Sequence, residues 1–258
     1  MNEDNKKGFN PGVVEGHYHP LTLMLNDIVS IYIDLGFEVT EGPIVDSDWS
    51  NFEALNMKYN HPARDAQDTF YIKNKKGPDG LPMMPRTQLS QMQVMYTLAH
   101  KPPFKIVYFG KAFRNENMDA THEAEHSQIE AMVVSKKANI GELKGTIEYV
   151  LSKFFGTEIE TRLRPGYFPF VEPGLEVDMK CFLCKATPGC PVCKGVGWRE
   201  VVASGIMNPI VLRNGGIDTD KWQGWAYSIG WDRLAMFKYG VDDIRKFNAG
   251  DLRLTNQF

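Results

Sequence analysis

Apolar residues recur every three or four positions from Leu21 through Met24, Leu25, Ile28, Ile31 and Tyr32 to Leu35. This is the stripe of one helical face, and Gly36 stops it. Phe37–Val45 then reads as a strand interrupted by Gly42-Pro43, which places it at an edge or on a bulge because proline cannot donate to a ladder. Leu89, Met92, Met95, Tyr96 and Ala99 predict a helix over Thr87–His100, after the turn signal Lys75-Lys76-Gly77-Pro78-Asp79-Gly80. Two apolar runs, Phe104–Phe109 and Ile129–Val134, predict a long-looped antiparallel pair joined through the polar segment Arg114–His126. Asn139 opens a helix with Glu142 three residues on, as in a capping box, and Leu143, Ile147, Val150, Leu151 and Phe154 form its buried face. Strands follow at Glu158–Leu163, Leu175–Lys180 and Gly197–Ser204, and a last helix at Gly230–Tyr239. Helices packed on a mainly antiparallel sheet make the fold class α+β. Residues 1–18, polar and without period, read as a flexible leader, and 19–258 as one domain with no repeat or linker.

Composition narrows this picture in three ways. The 258 residues, 43% apolar and 24% charged, have ordinary globular values and exclude a disordered or collagen-like chain. No apolar run approaches the roughly 18 residues of a membrane span, and Met1–Lys7 lacks the apolar stretch of a secretory signal, so the expected location is cytoplasmic. The net charge of −3 provides no broad basic surface, so any contact with nucleic acid runs through a local patch or a partner chain. The four cysteines form one cluster, Cys181-x-x-Cys184-x5-Cys190-x-x-Cys193. Such spacing suits four thiolates around a structural zinc ion, with no position left open for substrate; reduced, unligated thiols are the alternative.

Three further segments carry polar or aromatic residues that their elements do not need. In 113–130, Arg114 and Glu116 leave one strand while Gln128 and Glu130 alternate on the next. These residues share a face if the strands pair, although a solvated hairpin with weak surface ion pairs has the same composition. Tyr167-Phe168-Pro169-Phe170-Val171-Glu172-Pro173 reads either as the wall of an apolar pocket with Glu172 at its rim or as a stiff loop packed on the core. In 224–234 a strand ends in a glycine turn that leads into a helix with Arg233 in its first turn. That arrangement favours phosphate, and an arginine there is also an ordinary surface residue.

Taken together, these segments resemble the signatures of the class II aminoacyl-tRNA synthetases, and within them the phenylalanine-specific alpha subunits. The resemblance runs from His19-Pro20-Leu21 to the terminal Asp251–Phe258. It passes through Asn51-Phe52-Glu53-Ala54-Leu55-Asn56, His61-Pro62-Ala63-Arg64, Asp68-Thr69-Phe70, Arg164–Phe170, Val211-Leu212-Arg213-Asn214 and Tyr239–Arg245. It implies ATP-dependent activation of phenylalanine to the adenylate and transfer to tRNA(Phe). The implied assembly is alpha2beta2, with a beta subunit as partner, and no membrane is involved. It further implies that Arg114 holds the α-phosphate and carboxylate and that Arg233 holds the distal phosphates. Glu116 takes the adenine amino group, His122 the triphosphate tail, and His126 the adenine face. Gln88, Ser90, Gln128 and Glu130 would hold the substrate ammonium, Phe168 and Phe170 its ring, with Ala226 setting pocket depth. Glu172 matches a magnesium ligand. Guanidinium suits the phosphate roles because its planar fork binds oxyanions bidentately.

Several positions depart from the resembled pattern. His126 stands where a phenylalanine is usual, Ser127 for a histidine, Ala131 for a glycine and Ser228 for the first glycine of the third motif, while Trp225 and Trp231 are bulkier than usual. Only about eighteen residues precede the first motif, where the resembled family carries a tRNA-contacting coiled coil. These departures support the alternative, a truncated, non-charging paralogue used for binding or regulation. Retention of Arg114, Glu116, Gln128, Glu130, Glu172 and Arg233 argues for the enzyme.

Overall fold

Helix α1 spans Pro20–Asp34. Pro20 has no N–H to leave unpaired at the first turn, and His19 Nδ1 accepts from the Leu21 amide at 3.2 Å. Leu21, Met24, Ile28 and Tyr32 are buried, and Gly36, at φ +77°, ends the helix in a conformation that glycine adopts without strain. The computed structural model describes residues 16, 18–65, 69–115, 117, 123–181, 184, 187–190, 193 and 195–258, so most of the expected leader lies outside the described residues.

The strand expected over 37–45 divides at Gly42-Pro43. Strand β1 (Glu38–Thr40) joins a seven-stranded sheet, whereas β2 (Val45–Ser47) pairs with β3 (Met83–Pro85) in a separate two-stranded one. Pro43 cannot continue a ladder, and the backbone at Gly42 passes so close to Met92 that a Cβ there would lie 2.2 Å from its sulfur. Between β2 and β3 lie α2 (Asp48–Asn51), a 3-10 turn (Glu53–Leu55) and α3 (Pro62–Asp65), none of which the apolar period announces. Helix α4 covers Gln91–Ala99 only. Thr87–Ser90, expected to be helical, are instead buried in an irregular segment whose polar groups are engaged elsewhere: the Thr87 carbonyl accepts from Arg114 and the Ser90 hydroxyl donates to Glu130.

Strands β4 (Phe104–Phe113) and β5 (Glu125–Ser135) form the expected antiparallel pair, running from Phe104↔Val134 to Phe113↔Glu125 and extending past their apolar runs. Helix α5 (Ile140–Phe155) is capped by Asn139 Oδ1, which accepts from the Glu142 amide at 3.0 Å. The other half of the capping box does not form, because the Glu142 carboxylate accepts from Trp225 Nε1 at 2.9 Å instead. Strands β6 (Thr161–Phe168) and β7 (Val171–Lys180) make a hairpin whose tip is the aromatic-proline segment, read from sequence as either a pocket wall or a packed loop. Strand β8 (Trp198–Met207), α6 (Pro209–Asn214), β9 (Gln223–Gly230) and α7 (Trp231–Tyr239) follow. Two further single turns, α8 (Arg245–Asn248) and α9 (Leu252–Thr255), are too short to carry a period, so α7 is not the last helix.

The large sheet runs β1-β4-β5-β9-β8-β7-β6, with only β1 and β4 parallel, which is the mainly antiparallel α+β arrangement the sequence predicts. Alternate residues face opposite sides. One face presents Val107, Ile129, Ala131, Val133, Val177, Met179, Trp225 and Ile229 to α1, α5 and α7, forming the main core. The opposite face presents Ile106, Tyr108, Ala112, Met132 and Ala226, and is covered at one end by α4, α6 and the 52–57 turn. A cavity opens on that same face. No helix among the described residues is long and apolar enough to cross a membrane.

Candidate active site

In an antiparallel ladder, residues directly opposite each other share a face. Tyr108↔Glu130, Glu130↔Ser228 and Ser228↔Ala203 therefore form one row across β4, β5, β9 and β8. This row underlies a cavity of about 470 Å³, within the size range of small-ligand sites. Glu130 is only 1% exposed, and both its oxygens accept from the Ser90 hydroxyl at 3.0 Å, with Tyr108 donating to Oε2 at 3.0 Å. Burial pushes its carboxyl up to about 7, although these hydroxyls and the nearby Arg86 charge favour the ionised form. Gln128, one alternation away, donates from Nε2 to Ser228 Oγ at 2.9 Å. Gln88 Nε2 donates to the Asn51 carbonyl at 3.3 Å, and its side chain also borders the cavity.

Arg114, where β4 ends, and Arg233, in the first turn of α7, both line this cavity, as does His126. Arg114 Nε donates to the Thr87 carbonyl at 3.1 Å, which ties the guanidinium to the irregular segment preceding α4. The helix start that carries Arg233 is anchored by its neighbour: Asp232 Oδ2 accepts from the Ser127 amide at 2.6 Å, pinning α7 to β5. Burial raises the Asp232 carboxyl, and the Ser127 amide opposes that rise. The opposite wall carries Phe168 and Phe170, ring centroids 6.1 Å apart, with Ala226 nearby. A buried acid lies among amides and hydroxyls, two guanidiniums line the cavity with it, and an aromatic wall flanks them. This suits a ligand bearing a cation, an apolar ring and anionic groups.

Three expected site residues are not placed in this cavity by the described structure. Glu116 and His122 lie outside the described residues. Glu172 is not among the cavity's walls; it stands exposed on β7 with Oε2 accepting from Asn208 Nδ2 at 3.2 Å. It offers one hard oxygen donor, the number that magnesium commonly takes from protein when phosphates supply others. Sequence reasoning missed Tyr108 and Arg86. Tyr108 sits opposite Glu130 in the ladder, on the same face of the sheet. Arg86 lies against Gly110, where a Cβ would be 2.0 Å from its Nη2, and it donates to the carbonyls of Lys111, Gly42 and Pro43. No local pattern signals these contacts.

Away from the cavity, the four cysteine sulfurs lie within 4.8 Å of one another, with separations of 3.3, 3.6 and 3.7 Å among three pairs, and none is in a disulfide. Zn–S bonds of about 2.3 Å in a tetrahedron place sulfurs roughly 3.8 Å apart, so the donor set fits a metal ion. The Cys181 amide donates to the Gly197 carbonyl at 2.9 Å and closes the knuckle as a continuation of the β7–β8 ladder.

Residues 5–258 match the tRNA synthetase class II core domain (F). The phenylalanine–tRNA ligase alpha subunit of Bacillus subtilis (strain 168) is 46% identical over 251 residues, covering 96% of this chain and 70% of the relative. The chain belongs to the phenylalanine–tRNA ligase alpha subunit family of class II tRNA synthetases. The alpha subunit of Leptospira biflexa is 45% identical over 248 residues, covering 96% of this chain and 70% of that one. Among solved structures, a pyrrolysyl tRNA synthetase from Desulfitobacterium hafniense superposes with a TM-score of 0.65 at 16% identity, over 90% of this chain and 73% of that one, a likeness of fold alone. Within this class II fold, the row from Tyr108 to Ala203 and the start of α7 are the elements that bring the charged residues together.

Proposed function

We propose that the chain is the catalytic alpha subunit of a phenylalanine–tRNA ligase. The observation that carries this reading is that Arg114 and Arg233, from distant parts of the chain, line one cavity with Gln128, Glu130, Phe168 and Phe170. In the first step a carboxylate oxygen of phenylalanine attacks the α-phosphorus of ATP, an O–P bond forms, and the bond to pyrophosphate breaks. Negative charge grows on the phosphoryl oxygens, and Arg114, already positioned by Thr87, meets it without reorganising. Arg233 holds the departing phosphates. Glu130, Gln128, Ser90 and Gln88 receive the ammonium, the Phe168 and Phe170 rings flank the substrate ring, and Ala226 leaves the space at its end. His126 lies against the adenine, with Glu116 and His122 assigned to the adenine amino group and the phosphate tail by family resemblance. In the second step a hydroxyl of the tRNA's terminal adenosine attacks the adenylate carbonyl and AMP leaves.

When bound, magnesium neutralises phosphate charge; Glu172 would be its protein ligand. Cys181, Cys184, Cys190 and Cys193 hold zinc in a structural role, because four protein ligands leave no open position. The partners are a beta subunit and tRNA(Phe), and the reaction belongs to the cytoplasm. The non-charging alternative provides no reason for these charged and amide groups to converge. The test is phenylalanine-dependent pyrophosphate exchange by the complex co-expressed with its beta subunit. Exchange that requires phenylalanine supports the reading, and its absence from a correctly assembled complex overturns it.

A further inference from the structure

The aromatic wall of the cavity stands at the tip of the β6–β7 hairpin, where the ladder is irregular: the register shifts between Gly166 and Phe168, and Pro169 and Phe170 form the turn. Beyond the shift the ladder closes on the single pair Phe168↔Val171, so other ties add to what holds the two rings still. On one side, the Asn208 amide donates to the Phe170 carbonyl at 2.9 Å. On the other, Asn56 Nδ2 donates to the Pro169 carbonyl at 2.9 Å. Asn56 is well placed to act as an anchor. It closes the 52–57 turn, whose Phe52, Ala54, Leu55 and Met57 are at most 1% exposed in the second core, and the Asn56 and Met57 amides donate to the carbonyls of Glu53 and Phe52. Its φ of +65° is one that asparagine tolerates better than most residues, so the side chain projects from a tightly held backbone.

We infer that Asn56 is a positioning residue for the amino-acid ring: its amide fixes the Phe168–Pro169–Phe170 tip against the second core and thereby sets affinity for phenylalanine. The inference deepens the ligase reading and rests on it. His61 supports the same tip more weakly, with its ring stacked on Tyr167 at 6.3 Å and Nε2 3.1 Å from the Tyr167 hydroxyl. That contact is exposed, whereas Pro169 is buried and its carbonyl depends on the amide.

Two substitutions separate the hydrogen bond from the backbone. Asn56→Gly keeps the positive φ and removes the donor; Asn56→Asp also tolerates that φ but places an acceptor against a carbonyl. Pyrophosphate exchange by the alpha–beta complex is measured while phenylalanine and ATP are varied in turn. Both variants are expected to raise KM for phenylalanine by about threefold to tenfold, the range for one neutral hydrogen bond, with KM for ATP changed by less than about twofold. A generally loosened fold would move both constants. Unchanged KM for phenylalanine in both variants, or equal shifts for both substrates, overturns the inference. Lack of exchange in the wild-type complex would instead defeat the ligase reading, a failure visible before any variant is made.

Discussion

Glu130→Gln should make the protein more stable and less able to bind its substrate, and both effects have a size. The wild-type carboxyl is buried, and its pKa moves from an ordinary 4.5 to about 7. At about 1.4 kcal/mol per pH unit, that move is a cost of roughly 3 kcal/mol for keeping the group ionised in the folded state above neutrality. The sign follows from which state holds the proton. Between 4.5 and about 7 the folded chain keeps a proton that the unfolded chain has released, so stability falls as pH rises through that window. Glutamine cannot ionise, and its amide can sit between the Ser90 and Tyr108 hydroxyls, which accept as readily as they donate. Urea unfolding of both proteins across pH 4.5 to 8.5 should give curves that nearly coincide at the acid end. They should diverge until the variant leads by roughly 3 kcal/mol at the alkaline end. Other titrating groups cancel in the difference. KM for phenylalanine should rise at least about tenfold, because a charged hydrogen-bond partner of the ammonium is lost. Parallel stability curves at every pH would show that the carboxylate carries no desolvation cost and would refute the reasoning.

Arg114→Ala should lower exchange by roughly 10²–10³-fold, the cost of removing a pre-positioned group that meets developing charge, with the urea midpoint little changed; undiminished exchange counts against its role. Asp178, 4% exposed, accepts from Arg162 at 2.8 Å and from Arg164 at 2.7 and 2.8 Å, and hydrogen bonding from Arg164 lowers its pKa. Its contribution is therefore present above the ordinary carboxylate range and lost as pH falls through the depressed folded value. Asp178→Asn should be clearly destabilised at pH 7, with a deficit that shrinks on acidification; a constant deficit would mean that charge plays no part. Protein purified without chelator should contain about one equivalent of zinc, and Cys190→Ser much less. Metal below a tenth of an equivalent in the wild type would dismiss the site.

The helix-covered face of the sheet was legible from periodicity because burial there demands apolar residues at fixed spacing: Met24, Ile28, Leu143 and Ile147 announce α1 and α5 without help. The site face was not, for a physical reason. Its polar residues are held by tertiary hydrogen bonds, so Thr87–Ser90 break from the helical stripe that their spacing continues, and Tyr108 sits on a strand whose apolar run ends soon afterwards. The family motifs supplied what the pattern could not. They named Arg114, Gln128, Glu130 and Arg233, which the structure brings to one cavity, but they passed over Arg86 and included Asn56 without a role, and the partners of both are backbone carbonyls remote in sequence. A carbonyl belongs to every residue, so no residue type at the receiving end marks such a contact.

Two of the polar atoms left without a partner in the folded chain bear on the proposed ammonium site. Among the described residues, Gln93 Oε1 and Gln128 Oε1 are buried acceptors without a donor, and both side chains border the cavity beside Glu130. An unsatisfied buried acceptor costs roughly 1–3 kcal/mol, so a sequence shaped by stability alone would have replaced these amides with apolar groups of similar size. An ammonium has three N–H donors and no acceptor. Two orphaned amide oxygens and a carboxylate on residues that border one cavity with an aromatic wall match an ammonium in charge and hydrogen-bonding sense. The apolar face makes this tolerable, since a sheet held from behind by α1, α5 and α7 can carry several unfavourable groups in front without losing its shape.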